Sequence, residues 1–270
     1  MERGHANCYE VFGGRVLTRS LEAHIVDHCN LRCRQCCSLS PYLKPSFTEP
    51  EQLEADLNRA RRVLSPTYFK LVGGEPLLHP KLVECIEAVR RSGIADVVSM
   101  TTNGVLLPKA PDQIWNLLDH MTVSVYPKPG LSEARTQHIH EMAQRFDVQL
   151  NIKVQDRFEH IHLDQDRDDP EVTEHVFSRC WLRRRCHLLR DGRFYTCTVP
   201  VHYQSFWGES MSVAEQDGLE LHDGPDLVDE LKAFLERDHA LVSCRRCLGG
   251  TGELFAHQQL SLREVENREL

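Results

Sequence analysis

The chain has 270 residues, with 40 acidic against 32 basic side chains and a formal net charge of −8. Hydrophobic residues at 41% and charged residues at 27% place it with folded globular proteins rather than disordered ones. No apolar run approaches the roughly 18 residues a spanning helix needs, so no membrane partner is expected, and the acidic balance argues against nucleic-acid binding.

Residues 1–9 are polar and carry no secretory signal, which with the cysteine usage points to a cytoplasmic location. The eleven cysteines are an odd number, and many lie two or three residues apart. Reduced thiolates holding metal fit this better than a disulfide scaffold.

From residue 21 to about 156, short β-branched runs alternate with helical stretches. Residues 21–27 read as a strand. Residues 51–64 read as a helix, with Thr48 three residues before Glu51 in capping-box spacing. Strands are then predicted at 68–72, 95–101, 121–125 and 148–154, with helices at 80–91, 111–118 and 132–145. Such repetition implies parallel strands with right-handed crossovers, in a barrel or an open doubly wound sheet. Chemistry in such sheets gathers at the strand C-terminal ends.

The acidic stretch 164–171 reads as a linker, dividing the chain into domains at 1–165 and 166–270. Beyond it, 187–190 and 193–196 flank Asp191-Gly192, a strong hairpin signal. Residues 227–236 read as a helix, and the tail after Leu260 is polar. Two His-x-His pairs, His138/His140 and His160/His162, read as surface.

The first strand leads into Cys29-Asn-Leu-Arg-Cys33-Arg-Gln-Cys36. Three thiolates on one loop can hold three irons of a [4Fe–4S] cube and leave the fourth open to a small molecule. A zinc site closed by Cys37 or His28 is the alternative.

The pattern C-x3-C-x2-C after the first strand resembles the radical S-adenosylmethionine superfamily. Gly73-Gly74-Glu75-Pro76, Thr102-Asn103-Gly104 and Ser124 follow it in the family's order, at the ends of the second, third and fourth strands. The resemblance covers about residues 21–154 and implies an α/β fold built on a partial (β/α)6 barrel. It implies S-adenosylmethionine as cofactor, with Glu75 on its ammonium group and Asn103 and Ser124 nearby. The implied chemistry is one-electron cleavage to a 5′-deoxyadenosyl radical that takes a hydrogen atom from substrate, with flavodoxin or ferredoxin as electron donor. Gln35 departs from the family, which usually has an aromatic residue just before the third cysteine.

The C-terminal part carries Cys180, Cys186, Cys197, Cys244 and Cys247. This spacing resembles the shortened auxiliary-cluster domain, called twitch, of the SPASM subgroup, and implies a second [4Fe–4S] cluster closed by four thiolates. The family's first ligand usually lies well upstream, which favours Cys180 with Cys197, Cys244 and Cys247. Cys186, directly across the predicted hairpin from Cys197, stays open as the alternative ligand. If free, it is a candidate hydrogen-atom donor. A zinc ribbon is the plainer reading of the same residues.

Six arginines between 179 and 193 neutralise a cluster or clamp an anionic substrate group. Gly249-Gly250-x-Gly252 is expected to wrap the second cluster, and Lys153 is a candidate base on the last strand.

The resemblance extends to 2-deoxy-scyllo-inosamine dehydrogenase and carbohydrate radical epimerases of antibiotic pathways. The expected function is therefore hydrogen abstraction from a hydroxyl-bearing carbon of a sugar or aminocyclitol-like small molecule, leading to oxidation or epimerisation. A peptide-modifying radical enzyme and a non-catalytic zinc or iron–sulfur protein are the alternatives.

Overall fold

The structure is a computed structural model that describes residues 9–208 and 213–270. A short strand β1 (Val11–Phe12) turns back through Gly13-Gly14 onto the long strand β2 (Arg15–Val26). Strand–helix units follow: α1 (Pro50–Ala60), β3 (Leu64–Gly73), α2 (Leu82–Ser92), β4 (Val97–Thr102), α3 (Asp112–Leu117), β5 (His120–Val125), α4 (Glu133–Arg145) and β6 (Gln149–Val154). β2 to β6 pair in parallel and in chain order.

Period-two alternation explains how this sheet separates core from cavity. On β2, Leu21, Ala23 and Ile25 pack into the hydrophobic core with Leu53 and Leu57 of α1 and Ile86 of α2. Glu22 and His24 point the other way, into a cavity on the inner side of the sheet. β3 repeats the rule, with Phe69 and Leu71 in the core and Lys70 and Val72 lining the cavity.

After β6 the chain makes a short strand β7 (Arg157–Glu159) and then α5 (Pro170–Arg179). The hairpin β8 (Leu188–Arg190) and β9 (Arg193–Tyr195) turns at Asp191 and Gly192, both with positive φ (50° and 73°), as a type I′ turn requires. β8 adds to the free edge of β2 in parallel through Glu22↔Leu188. The partial barrel's sixth parallel strand is thus delivered from downstream, and the C-terminal segment continues the same sheet. The chain finishes with α6 (Val199–Trp207), α7 (Val213–Asp217), β10 (Leu219–Glu220), α8 (Leu227–Glu236), β11 (Leu254–Ala256) and α9 (Leu262–Glu266). β11 pairs with β7. Among the described residues, no helix is long and apolar enough to cross a membrane.

Three expectations are corrected. Thr48 does not cap α1: Glu49 stands at the N-cap without a side-chain bond, and Thr48 Oγ1 donates instead to His24 O. Pro50 at the first helical position has no N–H, which removes one of the donors a helix start leaves open. Residues 164–171 are no free linker, since Asp166 accepts from Arg246 and Tyr203 while Asp169 caps α5 through Val172 N. His162 is not on the surface. It is 1% exposed, bridged to Cys247 and bonded to Cys37 O, in extended chain rather than helix.

The hairpin is fastened to the end of β2 by charge. Arg190 Nη1 and Nη2 donate to Asp27 Oδ1 and Oδ2 at 2.6 and 3.0 Å, with both side chains under a fifth exposed. Burial pushes the Asp27 carboxyl up, but the bonds and charge of Arg190 outweigh it and hold the group below the usual carboxylate range. A depressed folded pKa gives stability that is complete above the unfolded pKa and is lost as pH falls through the folded one. Arg190→Met, which strands a buried carboxylate, is expected to cost about 3–5 kcal/mol at neutral pH. Urea melts at pH 7 and pH 3 check it: the difference from the unaltered protein should shrink at the lower pH.

Candidate functional site

The site is built where β2 and β3 end. Gly74 N donates to Val26 O and Glu75 N to His28 O, so the chain after β3 runs against the chain after β2. A Cβ on Gly73 would lie 2.2 Å from Val26 O, and one on Gly74 1.9 Å from His28 O. Gly73 also holds φ at 144°. Only glycine allows this contact, and the contact fixes where Cys29 begins its loop.

Cys29, Cys33 and Cys36 line one wall of a 450 Å³ cavity, with Gly73, Gly74, Asn103, Ser124 and Lys153 around it. Glu75 and Pro76 stand behind that wall. Glu75 is fully buried: its Oε1 accepts from Thr102 Oγ1 (2.6 Å) and Leu77 N (3.1 Å), and its Oε2 from Asn103 N (2.8 Å). Burial pushes its pKa up to about 6 in spite of those bonds. The carboxylate therefore braces the Gly-Gly turn and the Asn103 turn from inside. Asn103 carries the brace forward, donating Nδ2 to Asn30 Oδ1 at 2.6 Å and lying 3.7 Å from Cys29 Sγ.

The donor chemistry fits a cluster. Burial raises the thiol pKa of Cys29 to about 11; for Cys33, burial and then the neighbouring Cys36 raise it to about 12. These groups become thiolates only when metal charge replaces the proton. N–H donors nevertheless already face the sulfurs, as anionic sulfur requires. Among the described residues no three His, Cys, Asp or Glu side chains converge closely enough for a single ion. The ligating sulfurs of a cube stand further apart than the ligands of one ion, because iron–iron edges separate them.

Four of the five C-terminal cysteines share a second, small apolar void: Cys180, Cys197, Cys244 and Cys247 line it with Leu182, Val199 and Leu241. Gly249 N points at Cys247 Sγ from 3.2 Å. The β8–β9 register, Leu188↔Tyr195, projects Cys186 opposite Cys197, but the ladder ends at Leu188. A 3-10 turn at Leu182–Arg184 precedes Cys186, which lines the large cavity together with Cys37. Of the arginines, Arg183 lies over the Phe177 ring at 3.9 Å, Arg190 pairs with Asp27, and Arg193 pairs with Glu220. Arg185 lines the cavity.

Sequence reasoning missed several cavity residues. Glu22 is 7% exposed and bonds Lys70 Nζ at 2.7 Å; the two are cross-strand partners on β2 and β3. Two charged residues at inward positions of buried strands were the available signal. Gln35 does not line the cavity; its φ of 62° belongs to the cysteine loop's own turn. Aromatic surface comes instead from Tyr126, Phe158 and Trp181, with Tyr126 stacked on Phe158 and on His257. His257 and Gln259, far along the chain, reach Cys33.

Residues 24–126 match the family model described as Radical SAM superfamily, so this stretch of the chain carries a radical SAM domain. GTP 3′,8-cyclase from Nostoc punctiforme is 35% identical over 103 residues, 36% of this chain and 30% of that protein. The same enzyme from Microcystis aeruginosa is 32% identical over 101 residues, 35% and 30% respectively. The chain thus spans about 30% of the length of these curated relatives. Among solved structures, BtrN in complex with AdoMet and 2-DOIA has the same fold, with a TM-score of 0.52 at 14% identity. That match covers 86% of this chain and 94% of BtrN. A radical SAM domain implies S-adenosylmethionine and one [4Fe–4S] cluster, and the three-thiol loop suits them.

Glu75→Ala leaves three donors buried without an acceptor, at about 1–3 kcal/mol each. A fall in Tm is expected together with weaker S-adenosylmethionine binding, measured by thermal melts and by titration of the reconstituted protein. Weaker binding with an unchanged Tm would instead mean direct contact between Glu75 and the cofactor's ammonium group.

Proposed function

We propose that the protein is a radical S-adenosylmethionine enzyme that abstracts a hydrogen atom from a hydroxyl-bearing carbon of a polar small molecule, such as a sugar or aminocyclitol. The observation that carries this reading is the cavity itself. The thiols of Cys29, Cys33, Cys36 and Cys186 all line it, and the Glu22–Lys70 pair gives it a polar wall. A neutralised ion pair offers both a carboxylate acceptor and ammonium donors, which suits hydroxyl groups.

Bound on Cys29, Cys33 and Cys36, the cluster and S-adenosylmethionine would supply the 5′-deoxyadenosyl radical. The chain's residues do the rest. Glycine backbone at 73 and 74, with Asn103 and Ser124, shapes the cofactor end of the cavity, while Tyr126 and Phe158 offer ring faces and exclude water.

The Cys186 thiol favours epimerisation over oxidation. The 5′-deoxyadenosyl radical would take a hydrogen atom from the substrate and leave as 5′-deoxyadenosine. Cys186 then returns a hydrogen atom from the other face: its S–H bond breaks as the new C–H bond forms. The resulting thiyl takes one electron and one proton, the electron coming from a flavodoxin or ferredoxin. Cys180, Cys197, Cys244 and Cys247 are assigned to a second cluster in a twitch-like C-terminal domain, on the path of that electron. Lys153 lies at the cavity's edge, opposite Ser124 in the ladder, and is kept as a candidate partner for a substrate hydroxyl.

Two measurements test the reading. Anaerobically reconstituted protein should hold about eight irons, the content of two cubes. Cys180→Ala should fall towards four, and Cys186→Ala should keep all eight. Zinc without sulfide would instead return the non-catalytic reading. In deuterium oxide, a panel of sugars and aminocyclitols is screened for deuterium at one carbon, since a thiol exchanges with solvent. Deuterium that disappears in Cys186→Ala, while 5′-deoxyadenosine is still formed, is the expected result. An oxidised product free of solvent deuterium would overturn epimerisation in favour of dehydrogenation.

A further inference from the structure

The C-terminal segment lies across the first cysteine loop as a strap. Leu260 N donates to Arg32 O and Arg34 N to Gln258 O, and Cys33 forms a bridge with Gln259. The strap is held at both ends. Upstream, β11 pairs with β7 and His257 N donates to Asp156 O. Downstream, Glu264 pairs with Arg34 and the carbonyl of Glu269 accepts from Tyr42. Two side chains of the strap meet at one atom: His257 Nε2 lies 3.2 Å and Gln259 Nε2 3.3 Å from Cys33 Sγ.

Hydrogen-bond bookkeeping fixes the polarity of the Gln259 half of this contact. Gln259 Oε1 receives Arg32 N at 2.7 Å. A backbone N–H only donates, so that atom is the amide oxygen and the NH2 group must face the sulfur. Its two hydrogens have three partners within reach: Cys33 Sγ at 3.3 Å, Lys128 O at 3.3 Å and His257 Nε2 at 3.0 Å. His257 Nδ1 is buried without a partner. With the ring hydrogen on Nε2, two N–H groups converge on Cys33. With it on Nδ1, Nε2 accepts from Gln259 Nε2 at 3.0 Å and the amide remains the donor facing the sulfur. In either tautomer an N–H faces the sulfur, as anionic sulfur requires.

We propose that this strap belongs to the catalytic-cluster site, with His257 and Gln259 donating to the Cys33 thiolate and so raising the cluster's reduction potential. The inference rests on the reading that Cys33 ligates that cluster. Reduction adds one negative charge to the cluster, and donors to a ligating sulfur stabilise the more negative state more strongly. His257 and Gln259 are positioning and tuning residues, since they act through Cys33.

The test uses the full chain, reconstituted anaerobically and poised at a series of potentials. The EPR signal that added S-adenosylmethionine perturbs identifies the cluster with the open iron. His257→Phe keeps a flat ring for stacking on Tyr126 but removes the donor. Gln259→Met removes the NH2 without adding charge beside the sulfur. Each should retain the iron and sulfide of the unaltered protein and titrate at a more negative potential, with the double variant lower still. His257→Gln, which restores an N–H, should lie nearer to the unaltered protein. An unshifted potential in the double variant with full iron content would overturn the proposal. So would loss of the first cluster's iron in both single variants, which would make the strap purely a support. If the unaltered protein shows no signal that S-adenosylmethionine perturbs, the radical-enzyme reading itself fails, and that outcome needs no substitution to be seen.

Discussion

The site depends on one backbone contact: the chain leaving β3 lies against the chain leaving β2, with no room for a side chain at Gly73 or Gly74. This contact sets the direction in which the cysteine loop departs. It also buries the next residue, Glu75, whose carboxylate becomes the shared acceptor for three donors on two turns. A buried carboxylate without a cationic partner is expensive, and its raised pKa records that cost. The return is rigidity, because Asn103 is held by Glu75 on one side and touches Asn30 and Cys29 on the other. The glycine pair and the glutamate therefore work mainly on the protein's own backbone, and a ligand would meet the surface that they shape.

The second constraint is the two-sidedness of the strands. Helices α1 to α4 cover an apolar face built from Leu21, Ile25, Phe69, Leu71, Met100 and Val123. The opposite face keeps Glu22, His24, Lys70, Ser124 and Lys153 for the cavity. Such a face is tolerable inside a protein only if its charges are paired, as Glu22 and Lys70 are. β8 closes the open edge of β2 and carries Cys186 to the cavity, while the rest of the C-terminal segment gathers four thiols into a separate apolar void. His162 lies between the two regions, bonded to Cys37 O and bridged to Cys247.

Much of this was legible in the linear chain, for reasons that are local. Three cysteines within one turn's reach must share a site whatever surrounds them. Strand–helix alternation, the Asp191-Gly192 turn and the glycine pair at a strand end each reflect backbone preferences acting over a few residues. Element positions were accordingly close. β4, predicted at 95–101, runs Val97–Thr102, and α4, predicted at 132–145, runs Glu133–Arg145.

Local rules failed where a distant partner took the group. Thr48 had capping-box spacing, yet its hydroxyl bonds His24 O on a neighbouring strand. The acidic run at 164–171 looked free, but Arg246 and Tyr203, some 40 to 80 residues later, fasten Asp166. Sequence alone determined that thiol groups at 29–36 and 180–247 exist and that a β/α sheet presents the first of them at strand ends. Tertiary structure decided which thiols share a void, that Cys186 faces the cavity, that Glu75 points inward, and that His257 and Gln259 reach Cys33. Those outcomes turn on hydrogen bonds and packing between segments more than 220 residues apart, and no periodicity or spacing along the chain encodes such pairings.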